Sequence, residues 1–246
     1  MAPRDVRSGD HLPKRRRDGQ PLDPSWLPRQ RRGITPQMIG RYPDYDVFSA
    51  EPSWDEVTSR VVKARLAPHG GLSFFSPREE STLRAFCDTT TAQDQDPRVP
   101  VPEMVDAKLA AGKLDGFRYE DMPDDRQTWR LVLRGLDETA QARGVDAFAD
   151  LDLTGREAIV DALSEGELDG GAWDELNVKR AWSVCMRAIL AAFYSHPWAW
   201  NEIGFGGPAY PRGFMRLGQG VSSLEPFERA GATDEDPVRE LGERRQ

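Results

Sequence analysis

Apolar residues recur at helical spacing from residue 53 onward, whereas the first 52 residues show no lasting period. Residues 53–56 read Ser-Trp-Asp-Glu, a pattern that predicts a capping box in which Ser53 bonds the amide of Glu56. The first helix then carries one apolar face, formed by Trp54, Val57, Val61 and Ala64. The helical part of the chain is therefore predicted to begin near residue 53.

Four further helices are predicted from the same kind of start signal and apolar stripe. Ser76 and Pro77 open the second, the third runs from Val101 to Gly112, the fourth from near Pro123 to Gly144, and Thr154 caps the fifth. The residues predicted to face the core are Leu83, Phe86, Cys87 and Thr90; Val101, Val105 and Leu109; Trp129, Val132, Leu133, Leu136 and Ala140; and Ile159, Ala162 and Leu163.

A sixth helix is predicted from about Ala172 to Ser195. Its second half is apolar on every side, which is typical of a helix at the centre of a core. No run of alternating β-branched residues suggests a strand. The fold class is therefore predicted to be all-α, a single helical domain of about six helices.

Two segments flank this helical domain, which we place at residues 53–217. Residues 1–52 are rich in proline and arginine and predict an irregular basic arm, although aromatic residues recur in its second half. Residues 218–246 predict an acidic tail. The formal net charge is −8, with +6 in residues 1–41 and −14 in the remainder. A nucleic-acid-binding domain needs positive charge on its folded surface, so we expect no nucleic-acid partner.

Membrane insertion and export are not expected either. The longest apolar stretch, 181–194, has 14 residues and is interrupted by Ser183 and Arg187, whereas a membrane span needs about 20. The arginine clusters at 14–17 and 29–32 are not followed by the apolar run of an export signal. We expect a cytoplasmic location unless a partner carries the chain out.

Candidates for chemistry are few. Residues 204–209 match a dinucleotide-binding fingerprint, but a helix precedes them where that fingerprint needs a strand. His196 is better suited to meet the terminal carbonyls of the sixth helix than to act as a catalyst. Arg180 and Arg187 are better suited to pair with neighbouring acidic residues than to bind an anion. Cys87 and Cys185 form neither a disulfide framework nor a metal motif. We therefore assign no catalytic, cofactor-binding or metal-binding residue.

The segment 196–217 is the most unusual part of the sequence, because it concentrates aromatic residues, glycines and prolines. Large aromatic side chains dominate protein–protein contacts, and glycine permits close approach of another chain. The alternative is that these rings pack on their own helices. The residues predicted to bind a partner are Trp198, Trp200, Phe205, Gly206, Gly207, Tyr210 and Phe214, with Trp26, Tyr42 and Tyr45 of the arm.

The order of these patterns resembles the gluconate 2-dehydrogenase subunit 3 family over roughly residues 72–215. The resemblance is carried by SPREESTLRAFCDT (76–89), VPEMVDAKL (101–109), ARGVDAFADLDLTGREAIVDAL (142–163) and AFYSHPWAWNEIGFGGPAYP (192–211). Its most specific part is the last helix with its Phe-Tyr-Ser-x-Pro step and the Ile-Gly-Phe-Gly-Gly turn.

This resemblance implies an accessory subunit without a cofactor of its own. Members bind a larger FAD-dependent oxidoreductase of the glucose–methanol–choline (GMC) type, so FAD is expected in the partner and sugars or glycosides as its substrates. Two alternatives remain open. One is a self-sufficient small enzyme or ligand-binding domain that uses His196, Glu202 and Arg212. The other is a regulator that uses the basic arm on nucleic acid.

Overall fold

A computed structural model describes residues 46–67, 70–93, 98–113, 116, 118–203 and 205–208. Within these ranges the chain forms α-helices and short 3₁₀ helices and no strand, which confirms the all-α prediction. The α-helices are α1 Glu56–Ala64, α2 Pro77–Thr91, α3 Val101–Ala110, α4 Asp125–Ala142, α5 Leu153–Glu165, α6 Val178–Ser195 and α7 Pro197–Ile203. The 3₁₀ helices are Val47–Ser53, Phe148–Asp150 and Gly171–Glu175.

The chain divides into two compact units. The larger unit is Lys63–His196, and the smaller unit combines the chain up to Val62 with the chain from Pro197 onward. Val47–Ser53 is a 3₁₀ helix that belongs to the smaller unit, so helical structure is present before the predicted boundary at residue 53.

Several helix starts follow the predicted chemistry. In α2 the Ser76 backbone N–H donates to Glu79 Oε2 over 2.8 Å, and the Glu79 N–H donates back to Ser76 Oγ over 3.4 Å, which confirms the capping box. At α4 the Asp124 carboxylate accepts the Gln127 N–H over 2.9 Å. Both carboxylates lie at a helix N-terminus, where negative charge is favourable.

Three predicted starts are wrong by a few residues. The helix α1 begins at Glu56, later than the predicted start after Ser53, and the Asp55 carboxylate accepts the Thr58 N–H over 2.8 Å. Asp152 caps α5 instead of Thr154, with the Gly155 N–H 2.8 Å away. The sixth helix begins at Val178 and not near Ala172, because Asn177 caps it and residues 171–175 form a separate 3₁₀ helix.

The core of the larger unit is built mainly from α2, α4, α5 and α6. Its fully buried side chains include residues of the apolar faces predicted for α2, α4 and α5. They are Leu83 and Phe86 on α2, Trp129, Leu133 and Leu136 on α4, and Ile159 and Leu163 on α5. Gly135 of α4 allows the 3₁₀ helix 171–175 to lie close, because a Cβ there would meet the Trp173 ring at 2.5 Å. The predicted core of this unit is therefore largely confirmed.

A buried carboxylate fixes the segment before α2. Asp106 of α3 accepts the backbone N–H groups of Ser73, Phe74 and Phe75 over 2.7, 2.9 and 3.0 Å. Burial raises the pKa of Asp106, but these hydrogen bonds to the charged form outweigh it and leave the pKa below its ordinary value. Phe75 is thereby held against Trp129, with 6.2 Å between ring centroids.

Two predicted apolar faces are not buried. On α1 the side chains of Val57 and Val61 are exposed, and Val62 is the residue that packs inward. On α6 the buried face is Ala181, Cys185, Ile189, Ala192 and Phe193, whereas Leu190 and Tyr194 point to solvent. The prediction that α6 is surrounded by core is therefore wrong, and an apolar helix face lies on the surface of the larger unit.

Candidate partner-binding segment

The candidate segment follows the end of α6. His196 occupies the first position after this helix, as predicted, and its backbone N–H donates to the Phe193 carbonyl over 3.1 Å. The cation that meets a terminal carbonyl is Arg65, whose Nη1 donates to the Ser195 carbonyl over 2.7 Å. The imidazole of His196 is buried within the protein.

In the smaller unit, Pro197 opens α7 and Trp200 packs inward. Trp200 is only 5% exposed and forms a cluster with Val47, Trp54 and Val62. The Asn201 amide oxygen accepts the Val47 backbone N–H over 2.7 Å, and both residues are buried. These contacts join two stretches that lie about 150 residues apart in sequence, because the hydrogen-bonded residues are separated by 154 positions.

The turn after α7 is fitted closely to the same cluster. The Phe205 backbone N–H donates to the Trp200 carbonyl over 3.0 Å, and the two rings meet edge to face with centroids 5.5 Å apart. Gly207 has φ +75°, and a Cβ there would lie 2.8 Å from Trp54 Cζ2 and 3.0 Å from Val47 Cγ2. A residue with a side chain would be strained in its backbone and would collide with these two residues.

The cluster contains one buried polar atom without a partner. Trp54 is 8% exposed, and its indole N–H has no hydrogen-bond partner. An unsatisfied buried donor costs about 1–3 kcal/mol.

The structure divides the predicted partner-binding residues into three groups. Trp200, Gly206 and Gly207 are buried within this chain, so their side chains or backbone present little surface to another protein. Trp198 and Phe205 are half-buried, and Ile203, which the sequence did not single out, is exposed. Trp26, Tyr42, Tyr45, Tyr210 and Phe214 lie outside the described residues. Partner contact by these residues stays a prediction, and the buried Trp200 ring also supports the segment from within.

The other candidates for chemistry have structural roles in the larger unit. Arg180 pairs with Asp121 and stacks on the Tyr119 ring at 4.7 Å from its centroid, as the pairing prediction required. Burial raises the pKa of both the Cys87 and the Cys185 thiols, so both remain protonated at neutral pH.

The described residues contain no group of three or more His, Cys, Asp or Glu side chains arranged to hold a metal ion. The element before the Gly206–Gly207 turn is the helix α7, and a dinucleotide fingerprint would need a strand there. Among the helices that are described, none combines the length and apolar character needed to cross a bilayer. The side chains of Glu202 and Arg212 lie outside the described part of the structure, so the alternative that combines them with His196 is not tested here.

Comparison with known protein families identifies a family to which the chain belongs. The family model described as gluconate 2-dehydrogenase subunit 3 matches residues 77–207, which is more than half of the chain. The match extends from the first turn of α2 to the glycine that packs against Trp54. No curated protein and no solved structure matches the chain.

Proposed function

We propose a function from the premise that this chain belongs to the gluconate 2-dehydrogenase subunit 3 family. The protein is the non-catalytic small subunit of a dehydrogenase complex, in which it binds and stabilises a larger FAD-dependent subunit of the GMC type. The FAD lies in that partner, and this chain holds no cofactor. Sugars or glycosides are the proposed substrates of the complex.

The family match is the observation that carries this proposal, and the smaller unit supports it. Trp198 and Phe205 are half-buried residues, and the neighbouring Ile203 is exposed. Rigid aromatic groups are effective anchors at interfaces, since they bury much apolar area and lose little conformational entropy. Trp200 and Gly207 fix the backbone that presents these groups.

The isolated chain is expected to be colourless and inactive. When it is produced without partners, it should carry no FAD and should not reduce a dye in the presence of sugars. The same chain purified from its native cell should bring a flavin-containing protein with it. Near-stoichiometric FAD on the chain alone, with sugar-dependent dye reduction, would instead identify a self-sufficient enzyme.

Trp198→Ala is expected to weaken association with the flavoprotein while the fold persists. Removing an aromatic anchor at an interface typically costs about 2 kcal/mol, a loss of affinity of roughly thirtyfold. The measurement is the dissociation constant for the FAD-containing subunit, with far-UV circular dichroism as the check on folding. Thr154→Ala is a suitable control because Thr154 is an exposed residue in the first turn of α5 that does not cap the helix. Equal affinities for the wild type and Trp198→Ala would remove Trp198 from the interface.

A further inference from the structure

The described part of the smaller unit has a small apolar core. The buried side chains of its cluster are those of Val47, Trp54, Val62 and Trp200. Its α-helices are short, with nine residues in α1 and seven in α7, and helices of this length depend on tertiary packing for their stability. The Trp54 indole N–H is buried without a partner. Few buried apolar contacts are typical of a region that opens locally while the rest of a protein stays folded.

Each of the two stretches that form this unit is linked internally. In residues 46–62, the Ser59 hydroxyl of α1 donates to Glu51 Oε1 of the preceding 3₁₀ helix over 2.7 Å. In residues 197–208, the Phe205 backbone N–H donates to the Trp200 carbonyl and so ties the turn to α7. Each stretch is therefore expected to move as one piece.

The two stretches bury their apolar groups against each other. The Val47 backbone N–H of the first stretch donates to the Asn201 amide oxygen of the second, and both residues are buried. Gly207 of the second stretch packs on Trp54 of the first. Separation of the two stretches would therefore expose the cluster on both sides at once. Because each stretch supplies half of the same small core, the two are expected to open and close together.

Arg65 lies where the chain passes between the two units. The chain leaves the smaller unit after Val62 and returns to it at Pro197. Arg65 follows the end of α1, and its Nη1 donates to the carbonyl of Ser195, the last residue of α6, over 2.7 Å. Carbonyls in the last turn of a helix have no partner inside the helix, and a hydrogen bond from a charged donor is about twice as strong as a neutral one. This bond holds the two passages of the chain side by side.

The Arg65–Ser195 hydrogen bond shortens the loop that has to close when the smaller unit forms. Val47 and Asn201 are 154 positions apart in sequence. Along a path through this hydrogen bond, only residues 47–65 and 195–201 lie between them, which is roughly two dozen residues. The entropy cost of closing a loop rises with the logarithm of its length, so the shorter path favours closure by roughly tenfold.

We propose that residues 46–62 and 197–208 form a clasp, which opens and closes in one cooperative step while the larger unit stays folded, and which the Arg65–Ser195 hydrogen bond stabilises in its closed state. The closed clasp holds Trp198, Ile203 and Phe205 on α7 and the turn after it. A partner that binds only the closed clasp shifts the population towards it. This effect of a partner rests on the function proposed above, whereas the opening of the clasp is a property of the chain alone.

Hydrogen exchange of the isolated full-length chain, measured by mass spectrometry, tests the clasp. Asn201→Ala removes the acceptor of the Val47 N–H, and Arg65→Ala removes the donor to the Ser195 carbonyl. Each variant should accelerate exchange by roughly tenfold in peptides of both stretches, 46–62 and 197–208. Exchange in peptides of α2 and α4 should stay at the wild-type rate.

Two further variants define the role of Arg65. Arg60→Ala is the matched control, because it removes the same kind of side chain from an exposed position of α1 and should leave exchange in both stretches within about twofold of the wild type. Arg65→Lys keeps the charge but not the planar guanidinium, so it should accelerate exchange less than Arg65→Ala does. Wild-type exchange rates for Arg65→Ala would overturn the role of Arg65 in the clasp.

Two other results would overturn the clasp as a whole. One is faster exchange of Asn201→Ala that is confined to residues 197–208, because the two stretches would then open independently. The other is an equal acceleration in α2 and α4, because the larger unit would then unfold together with the smaller one.

A second measurement separates this inference from the proposed function. The FAD-containing subunit isolated from the wild-type complex, added in excess, should slow exchange in both stretches by roughly tenfold or more. If the chain binds no FAD-containing subunit, the proposed function fails, and exchange in the isolated chain still decides whether the clasp exists. If the subunit binds and exchange in both stretches is unchanged, the proposed function stands and the preference of the partner for the closed clasp is wrong.

Discussion

Trp200→Ala is expected to unfold the smaller unit locally, because Trp200 is one of the two buried tryptophans that form its apolar cluster. Truncating a buried tryptophan typically costs 3–5 kcal/mol, and here the cavity would lie among Val47, Trp54 and Val62. Hydrogen exchange measured by mass spectrometry should therefore accelerate by roughly a hundredfold or more in peptides that cover residues 46–62 and 197–208. Exchange in peptides of α4 and α5 should remain unchanged.

Trp198→Ala is the matched control for this experiment, since Trp198 lies on the same short helix and is half-buried. It should accelerate exchange far less than Trp200→Ala does. If Trp200→Ala leaves exchange in both stretches at wild-type rates and only reduces binding of the flavoprotein, the ring of Trp200 belongs to the interface. The assignment of Trp200 as internal support would then be wrong.

Asp106→Ala is expected to destabilise the larger unit by about 3–4 kcal/mol, because three backbone N–H groups lose their acceptor at once. Two of these groups belong to the buried residues Phe74 and Phe75, which pack beside α4. Denaturant unfolding of the full-length chain gives the change in free energy of unfolding. Asp106→Asn keeps an acceptor oxygen and should cost about half as much.

The contribution of Asp106 to the free energy of unfolding should decrease at low pH. Its pKa in the folded chain lies below the ordinary value, so its contribution to stability is complete above that value and is lost as the pH falls through the folded pKa. The deficit of Asp106→Ala relative to the wild type should thus be constant near neutral pH and narrow below about pH 4. Asp161→Ala, at an exposed position of α5, should show neither the loss of stability nor the pH dependence. A deficit that does not change down to pH 2 would contradict the role of the charged carboxylate.

Local signals predicted the larger unit well. The capping box at Ser76 and the stripes of α2, α4 and α5 are specified by neighbouring residues, and the structure reproduces them. Two of the three wrong helix starts lie where two capping residues are within two positions of each other. Ser53 and Asp55 compete at α1, and Asp152 and Thr154 compete at α5. In both cases the carboxylate accepts a backbone N–H of the first turn, as expected from its charge at a helix N-terminus.

Long-range packing explains most of what the sequence did not predict. The pattern of α6 gives no sign of which apolar side lies outward, because that depends on where α3, α4 and α5 are placed around it. The burial of Trp200 depends on Val47, which lies in a stretch with no helical period. Gly170 and Gly171, both at positive φ, and the capping Asn177 were local signals that mark the separate start of α6. The buried and exposed residues of the candidate segment were therefore not separable from sequence.

Native mass spectrometry of the tagged full-length chain, purified from its own cell, tests whether the protein is the small subunit of a complex with an FAD-containing subunit. We expect a complex whose mass exceeds that of this 27.6 kDa chain by one or more larger subunits, and that releases FAD on denaturation. Dissociation should leave the FAD with the larger subunit and the small chain free of flavin. A preparation that contains only this chain, as a monomer or a homo-oligomer, would contradict the proposed role as an accessory subunit. FAD that stays on the 27.6 kDa species would contradict it as well.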